Sequence, residues 1–286
     1  MSVQAISAPL VLAADGLRRD HAVLVDDAMI LDIVPQHAVP PGLTVTAHAH
    51  GLLAPGFVDV QVNGGGGVLF NDAPTVDTIR TMAAAHRRYG TTAMLPTLIS
   101  DDWDKTVQAL EAVDAAIAEG VPGIVGIHLE GPFLNPAKKG IHDAGKFRVL
   151  DDAAVAFLCR PRRGAVLMTL APERAELAHI RALAEAGVVL AAGHSLARYE
   201  EIEAAVRAGL RGVTHLFNAM SPLESRAPGL VGAALDLPAL WAGIIADGFH
   251  VHPAALRLAV RAKGVERVML VTDAMATVGA DIASFM

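Results

Sequence analysis

Four polar side chains in this 286-residue chain, Glu130, His194, His215 and Asp273, each follow a short apolar segment. One carboxylate and two imidazoles make a suitable ligand set for an open zinc site, in which water completes the tetrahedron. Such a metal lowers the pKa of its bound water toward about 7 and polarises a carbonyl group. Asp273 could take the proton of this water and deliver it to a leaving amine. These residue types therefore predict metal-assisted hydrolysis.

Each residue taken alone also has an ordinary structural explanation. A single histidine at the end of an apolar strand is more often a hydrogen-bonded polar residue than a metal ligand. Here glutamate, two histidines and aspartate recur at equivalent places on four different segments. This recurrence favours one shared site over four independent structural roles.

The elements that would position these side chains form a repeating pattern from Pro55 onward. Eight apolar segments are predicted as strands, over 56–62, 92–98, 124–129, 166–170, 188–192, 212–216, 241–246 and 267–271. Helical patterns lie between several of them, over 76–89, 103–119, 173–186, 199–208 and 253–263. All five of these helical patterns are followed by a glycine that favours helix termination. Apolar strands that alternate with helices are typical of parallel strands buried on both faces. Eight of them predict a (β/α)8 TIM barrel, whose chemistry lies at the C-terminal ends of its strands.

Two other features bear on the fold. An open doubly wound sheet is the alternative, but no GxGxxG motif joins a strand to a helix, and the glycines at 64–67 indicate a flexible loop beside a site. Residues 1–53 contain short β-rich pieces, such as 23–25 and 29–34, between turn residues. They predict antiparallel hairpins in a small β domain, which is followed by the barrel over 54–286.

Composition restricts the class of protein. The net charge of −7 provides no basic surface for nucleic acid or for an anionic membrane. No apolar run approaches the roughly 20 residues needed to cross a bilayer. The apolar stretch at 8–14 lacks a preceding positive region, so it indicates a strand and not a signal peptide. The single cysteine, Cys159, excludes an intramolecular disulfide and fits a reducing compartment. A soluble, cytoplasmic protein is expected.

Seven short motifs carry a resemblance to a known family. They are PGFVD at 55–59, HLEGPF at 128–133, KKGIH at 138–142, GHS at 193–195, THLFNAM at 214–220, ADGFH at 246–250 and VTDA at 271–274. In these motifs the chain resembles the N-acetylglucosamine-6-phosphate deacetylases of the amidohydrolase superfamily. HLEGPF and THLFNAM are the most specific of the seven. The resemblance implies a metal-dependent hydrolase barrel with a small β-sandwich domain.

The resemblance also implies roles for the polar residues at the strand ends. Glu130, His194 and His215 match the family's metal ligands, and Asp273 matches its catalytic acid/base. His142 matches a residue that helps to polarise the substrate carbonyl and contacts the sugar. The implied reaction hydrolyses the acetamide of N-acetylglucosamine 6-phosphate to acetate and glucosamine 6-phosphate, in amino-sugar catabolism and cell-wall recycling.

The remaining matched positions are expected to bind the substrate. Asn218 and Ala219 fall where backbone amides hold the phosphate, and His250 falls in the substrate pocket. Arg226 resembles an arginine that reaches the phosphate bound by a neighbouring subunit. The resemblance therefore implies a homodimer or a higher homo-oligomer as well as a small amino-sugar phosphate as substrate.

Two amide side chains bear on the number of metal ions that each chain is expected to bind. Many amidohydrolases carry His-x-His at the end of the first strand and bind two metals, whereas this chain has Gln61 and Asn63 there. Because an amide is a weak substitute for imidazole as a zinc ligand, one divalent metal per chain is expected. Zn2+ suits two nitrogens and one oxygen, and Fe2+ would accept the same ligands.

Three alternatives stay open at this point. Another amidohydrolase, with a two-metal site, would require the His-x-His that Gln61 and Asn63 replace. N-acetylgalactosamine 6-phosphate could be the preferred substrate, or the chain could be a non-catalytic binder of sugar phosphate and metal. Family members are expected to continue beyond the eighth strand. The chain is therefore predicted to be truncated, with an incomplete β-sandwich, no final barrel helices and exposed apolar surface.

Overall fold

The computed structural model describes residues 3–282 and residue 284, and the chain divides into two compact units. The first unit is Met1–Gly56 and the second is Phe57–Met286. The sequence placed this boundary after residue 53, three residues earlier.

The first unit is a single five-stranded sheet. Its strands are β1 (Gln4–Ala13), β2 (Gly16–Asp26), β3 (Met29–Pro35), β4 (Thr44–Ala47) and β5 (Leu52–Leu53). The strands β1, β2 and β3 form antiparallel hairpins, as predicted, but β4 and β5 both pair with β1 in parallel. The prediction of hairpins throughout is therefore wrong for β4 and β5. The connection between β3 and β4 is too long for a tight turn, so the chain crosses back before it pairs. The described residues of this unit form one sheet, so the predicted sandwich stays a prediction.

The second unit is built on eight parallel strands. They are β6 (Phe57–Val62), β9 (Thr91–Ile99), β10 (Gly126–Glu130), β11 (Ala165–Leu170), β12 (Val189–Ala192), β13 (Gly212–Val213), β14 (Trp241–Ile244) and β15 (Val268–Leu270), and a small hairpin of β7 (Gly64–Gly65) and β8 (Val68–Leu69) follows β6. Each of the eight pairs in parallel with its neighbour in chain order. The predicted TIM-like barrel is confirmed, and all eight predicted strands are present.

Seven α-helices lie between the strands in the part of the chain that the structure describes. They are α1 (Val76–Arg87), α2 (Trp103–Ala118), α3 (Asp152–Leu158), α4 (Leu177–Glu185), α5 (Tyr199–Ala208), α6 (Gly229–Asp236) and α7 (Pro253–Lys263). The sequence did not predict α3, which has only seven residues, or α6, in which two glycines lower helix propensity. The predicted helix at 173–186 is shorter in the structure, because 172–174 form a separate 3₁₀ turn.

Polar side chains occupy part of the barrel interior. His128 is fully buried, and its two ring nitrogens lie 3.3 Å from the Thr97 hydroxyl and 2.8 Å from the Thr169 hydroxyl. The Thr169 hydroxyl in turn lies 2.5 Å from that of Thr214. Burial lowers the pKa of His128 to about 4, so this imidazole is neutral at neutral pH. These hydrogen bonds connect β9, β10, β11 and the segment after β13 below the barrel mouth.

The barrel closes where the segment after β15 meets β6. Val62 and Ala274 form a parallel bridge, and the Asp273 N–H donates to the Gln61 carbonyl at 3.0 Å. The buried Asp59 carboxylate accepts hydrogen bonds from the Thr272 hydroxyl at 2.5 Å and from the Thr272 N–H at 3.3 Å. Burial raises the pKa of Asp59. These contacts fix the segment that carries Asp273 against the first strand of the barrel.

The glycines at 64–67 are ordered as part of this closure. They form the β7–β8 hairpin, and the N–H groups of Gly66 and Gly67 donate to the carbonyls of Val278 and Ala276. A side chain at Gly64 would collide with the Val68 carbonyl. The prediction of a flexible loop is therefore wrong: close backbone approach, which only glycine permits, explains this run.

Two surface observations complete the description. No helix among the described residues is both long enough and apolar enough to span a bilayer. An apolar cavity of about 740 Å3 lies beside β15, and Phe57 and Leu270, which line it, are each 65% exposed. Within the described residues no helix follows β15 to cover this surface.

The hydrogen bond between Thr272 and Asp59 at the barrel closure is predicted to stabilise the fold. Thr272→Val removes the hydroxyl donor from a buried carboxylate, so the free energy of unfolding should fall by about 1.5–3 kcal/mol. Urea denaturation would measure the change. The control is Thr92→Val, at an exposed position in β9, which should cost little. Equal midpoints for the two variants would contradict this role for Thr272.

Candidate metal centre

Three buried donor atoms meet at the C-terminal end of the barrel. Glu130 is the last residue of β10, and His194 and His215 each stand two residues beyond a strand, β12 and β13 respectively. The Glu130 Oε1 lies 3.0 Å from the His194 Nε2 and 2.9 Å from the His215 Nε2. The two Nε2 atoms are themselves 3.0 Å apart. The structure thus brings together the three ligands that the sequence predicted, as one possible metal site.

This donor set fits a divalent cation. Ligands on a tetrahedral ion with bonds of about 2.0–2.1 Å are separated by roughly 3.3 Å, close to the spacing of these three atoms. The His194 Nδ1 lies 2.8 Å from the Lys138 carbonyl, so Nδ1 carries the hydrogen and Nε2 is left with its lone pair. Two imidazole nitrogens that face each other and the same carboxylate oxygen are all satisfied at once by a cation.

Burial and the neighbouring imidazoles have opposite effects on the pKa of Glu130. Burial alone would raise the pKa of Glu130, but the adjacent imidazoles of His194 and His215 outweigh it and hold the pKa well below its usual value. Burial also opposes protonation of His215, yet its hydrogen bond with Glu130 raises the pKa of this imidazole. Glu130 is therefore ionised, which is the state that a cation requires.

The backbone at these turns adopts uncommon conformations. His194, His215 and Asp273 have φ angles of +48°, +33° and +51°. Phe217 and Ala219, in the turn that follows His215, have φ of +83° and +50°. Few residues other than glycine occupy this left-handed region, because the Cβ atom clashes there. Concentration of such residues at the barrel mouth is typical of a functional site held in place by its surroundings.

His142, in the loop after β10, presents a neutral N–H donor to this centre. Its Nδ1 accepts the Ser100 N–H at 3.2 Å and lies 2.9 Å from the Ser100 hydroxyl, so Nε2 carries the hydrogen. The Nε2 atom is 4.0 Å from the Glu130 Oε1, and the imidazole rings of His142 and His194 are 4.4 Å apart. Burial lowers the pKa of His142 to about 4, which keeps the imidazole neutral at neutral pH.

Asp273 lies at the same end of the barrel, in the segment that closes it. The Asn63 Nδ2 donates to its Oδ1 at 2.6 Å. Burial raises the pKa of Asp273, and the negative charge of Glu130 raises it further. A carboxyl group with a raised pKa is suited to exchange protons near neutral pH.

The two predicted phosphate-binding amides differ in the structure. The Asn218 N–H donates to the His215 carbonyl at 3.0 Å, so it is engaged within the turn. The Ala219 N–H has no hydrogen-bond partner within residues 3–282 or residue 284, whereas its carbonyl accepts the Ser195 N–H at 3.2 Å. Of the two, the Ala219 N–H is the one available to a ligand.

His250 and Arg226 are exposed and lie outside the cluster of donor atoms. The His250 Nδ1 lies 2.7 Å from the Asp247 Oδ2, and hydrogen bonds from the N–H and imidazole of His250 and from the Phe249 N–H lower the pKa of Asp247 to about 2. Arg226 lines a separate cavity of about 280 Å3 together with Tyr199. Their predicted contacts with substrate remain predictions.

Three further residues support the centre and were not assigned to it from sequence. Gln61 donates through Nε2 to the Glu130 Oε2 at 3.1 Å. Ser100 orients His142, and Glu173 accepts hydrogen bonds from the Ser195 hydroxyl and the Leu196 N–H, both at 2.7 Å. Ser100 and Glu173 each follow a barrel strand within three residues. Their positions near strand ends could therefore have identified them as candidate site residues from the sequence.

The eight-stranded parallel barrel and the possible metal site at its C-terminal end are together typical of the metal-dependent hydrolase class. Comparison with known proteins agrees: the sequence profile of the amidohydrolase family matches residues 52–284. The chain belongs to the amidohydrolase family.

Individual relatives make the resemblance more specific. The chain is 48% identical over 235 residues to the N-acetylgalactosamine-6-phosphate deacetylase of Shewanella sp. (strain ANA-3), covering 82% of this chain and 60% of that protein. It is 35% identical over 264 residues to the N-acetylglucosamine-6-phosphate deacetylase of Haemophilus influenzae, covering 92% and 68%. The crystal structure of N-acetylglucosamine-6-phosphate deacetylase from Pasteurella multocida superposes with a TM-score of 0.95 at 35% identity, covering 99% and 75%. The resemblance to these deacetylases is confirmed. The chain spans about 60–70% of the length of the two curated relatives.

The metal centre predicts the effect of losing one ligand. His194→Asn should weaken zinc binding by more than the roughly 10- to 100-fold typical for loss of a partner that only orients a ligand. Competition with a chelating dye would measure the affinity. His252→Asn is the matched control, because His252 is exposed and caps α7, where asparagine also caps well. Equal zinc affinity in the two variants would exclude His194 as a ligand.

Proposed function

We propose that this protein hydrolyses the acetamide of N-acetylglucosamine 6-phosphate to acetate and glucosamine 6-phosphate. The observation that carries the proposal is the convergence of Glu130, His194 and His215 beside the His142 N–H donor at one end of the barrel. Similarity to proteins named as deacetylases of amino-sugar phosphates supports this substrate class.

One divalent cation would be held by Glu130, His194 and His215. When bound, it would polarise the amide carbonyl and lower the pKa of a water molecule. Zn2+ is our first choice, because two nitrogens and one oxygen suit it, and Fe2+ would accept the same ligands. Gln61 and Asn63 provide amides where a second metal would need imidazoles, so we propose a single ion per chain.

His142 would stabilise the charge that develops on the amide oxygen. Its Nε2–H is fixed as a donor by the hydrogen bond that its Nδ1 accepts from Ser100. Because the pKa of His142 is lowered to about 4, the imidazole donates while neutral and does not repel a bound cation. A donor that is already oriented stabilises an oxyanion without reorganisation during the reaction.

Asp273 would carry the proton. Its Oδ1 is occupied by the Asn63 amide, so Oδ2 is the oxygen available to accept a proton from the attacking water. The same carboxyl group would then protonate the sugar nitrogen as the carbon–nitrogen bond breaks. Acetate and the free amine are the products, and one water molecule is consumed.

The substrate phosphate would position the amide without reacting. The Ala219 N–H is the donor available for it, with the Asn218 turn, His250 and Arg226 as further proposed contacts. Arg226 is exposed, as a residue that reaches a second subunit would be, and a homodimer is part of the proposal. A cytoplasmic location is also part of the proposal, because a single cysteine fits a reducing compartment.

The principal test is acetate release by the zinc-loaded chain. Wild type should turn over N-acetylglucosamine 6-phosphate and lose activity on chelation. Asp273→Asn should lower kcat by about 10²- to 10⁴-fold with zinc content unchanged, since only proton transfer is removed. Asp72→Asn, which alters an exposed carboxylate, is the control. A zinc-bound wild type that released no acetate would favour the non-catalytic alternative, and wild-type turnover by Asp273→Asn would exclude Asp273 as the acid/base.

N-acetylgalactosamine 6-phosphate is the second candidate substrate, because the Shewanella relative, at 48% identity, is named for it. The two sugars differ only in the configuration of the C4 hydroxyl, so the same chemistry serves both. We expect a higher kcat/KM with the glucosamine derivative when both are assayed under the same conditions. The opposite order would reassign the substrate and leave the mechanism in place.

A further inference from the structure

Three polar side chains point from one face of the first barrel strand. Asp59, Gln61 and Asn63 alternate along β6 and the residue after it, and all three are buried. Each binds a different partner: Asp59 binds Thr272, Gln61 binds Glu130, and Asn63 binds Asp273. The last two partners are the carboxylates assigned to metal binding and to proton transfer.

We infer that Gln61 and Asn63 are positioning residues that determine which oxygen of each carboxylate acts. Gln61 occupies the Glu130 Oε2 and leaves Oε1 to the metal, while Asn63 occupies the Asp273 Oδ1 and leaves Oδ2 to the proton. The inference rests on the proposed function for the role of Asp273. Its part concerning Glu130 depends only on the metal site.

The geometry at Glu130 separates its two oxygens by function. Oε1 faces the two imidazoles at 2.9 and 3.0 Å, whereas Oε2 accepts the Gln61 Nε2–H at 3.1 Å. A free carboxylate can bind a cation through one oxygen or through both. The amide of Gln61, which is 1% exposed, holds Oε2 and therefore favours binding through Oε1 alone.

The geometry at Asp273 is held from two sides. The Asn63 Nδ2–H donates to Oδ1 at 2.6 Å, and the Asn63 backbone N–H donates to the Ala274 carbonyl at 2.9 Å. The Asp273 N–H donates in turn to the Gln61 carbonyl at 3.0 Å. We assign the Asn63 amide with its nitrogen toward Asp273, because a flipped amide would place its oxygen against the ionised carboxylate. The side chain and backbone of Asp273 are thus both attached to the same strand.

An amide has an advantage over imidazole in these two positions. It is a neutral donor whose hydrogen-bonding pattern does not change with pH. The strand that would otherwise provide ligands for a second metal provides instead two N–H donors, one for each carboxylate. This arrangement explains why the side chains are buried and aimed at carboxylates although neither binds metal in our assignment.

The first experiment measures metal affinity and needs no substrate. Gln61→Met keeps the length of the side chain but removes the N–H donor. Zinc affinity, measured by competition with a chelating dye, should fall roughly 10- to 100-fold, as is typical for loss of a group that orients a ligand. Wild-type affinity in Gln61→Met would overturn the role assigned to Gln61, whether or not the protein is a deacetylase.

The second experiment measures proton transfer. In Asn63→Leu, kcat should fall roughly 10- to 100-fold, the effect of losing one hydrogen bond to a charged group. Zinc affinity and KM should stay at the wild-type values. The acid limb of the kcat/KM profile should move to higher pH, because the lost N–H no longer favours the ionised carboxylate. An unchanged acid limb together with an unchanged kcat would overturn the role assigned to Asn63.

Thr97→Val is the matched control for both variants. Its hydroxyl accepts the Val62 N–H at 2.8 Å and lies 3.3 Å from a ring nitrogen of His128. The change therefore removes buried hydrogen bonds beside the same strand, and neither of them is made to Glu130 or Asp273. It should reduce stability and leave zinc affinity and the acid limb unchanged. Effects in this control equal to those of the two amide variants would show that the amides only stabilise the strand, which would overturn the inference.

A readout without substrate separates this inference from the proposed function. The carboxyl carbon of Asp273 can be followed by 13C NMR and assigned with Asp273→Asn. Asn63→Leu should move its titration to higher pH even if no acetate is released by wild type. A missing deacetylase activity would then count against the proposed function alone, and an unmoved titration against the inference alone.

Discussion

The arrangement at the C-terminal end of the barrel depends on one buried, ionised carboxylate, that of Glu130. Removing a carboxylate from water costs several kcal/mol unless its charge is compensated and its lone pairs are occupied. Glu130 is 2% exposed, and His194, His215 and Gln61 surround its two oxygens. The same negative charge raises the pKa of Asp273 and attracts a cation to the site. The ligand, acid/base and donor roles that we propose for these residues therefore all depend on one buried charge.

The barrel supplies the rigidity that this arrangement demands. His194, His215 and Asp273 sit in left-handed turns that are unfavourable for residues with a side chain. Parallel strands hold the start of each turn, and Glu173 fixes the loop that follows His194 through the Ser195 hydroxyl. Because β12 and β13 are each paired on both sides, and the segment after β15 is hydrogen-bonded to β6, these turns cannot relax without disrupting their neighbours. The packing of the second unit therefore offsets the free-energy cost of these turns.

The sequence revealed the strand ends but not the loops. Continuous apolar runs located all eight barrel strands, and the residues just after them included the three donor atoms and Asp273. Helices α3 and α6 were missed, because one is very short and the other contains glycines. Glu173 and Ser100 were missed because their partners lie on other loops, and the parallel pairing of β4 and β5 depends on where a long connection returns. Periodicity reports which face of a segment is buried, but not which loops meet.

The closure between β6 and the segment after β15 has a consequence for biosynthesis. Asn63 and Asp273 are 210 residues apart in sequence, yet they share a hydrogen bond. Contacts between residues so far apart in sequence form late in folding. Closing so long a loop costs chain entropy, and this cost must be offset before the contacts stabilise the fold. During synthesis from the N-terminus, Glu130, His194 and His215 leave the ribosome before Asp273 does. Under the proposed function, a nascent chain would therefore acquire its metal ligands before its acid/base, and hydrolysis would begin only after β15 docks.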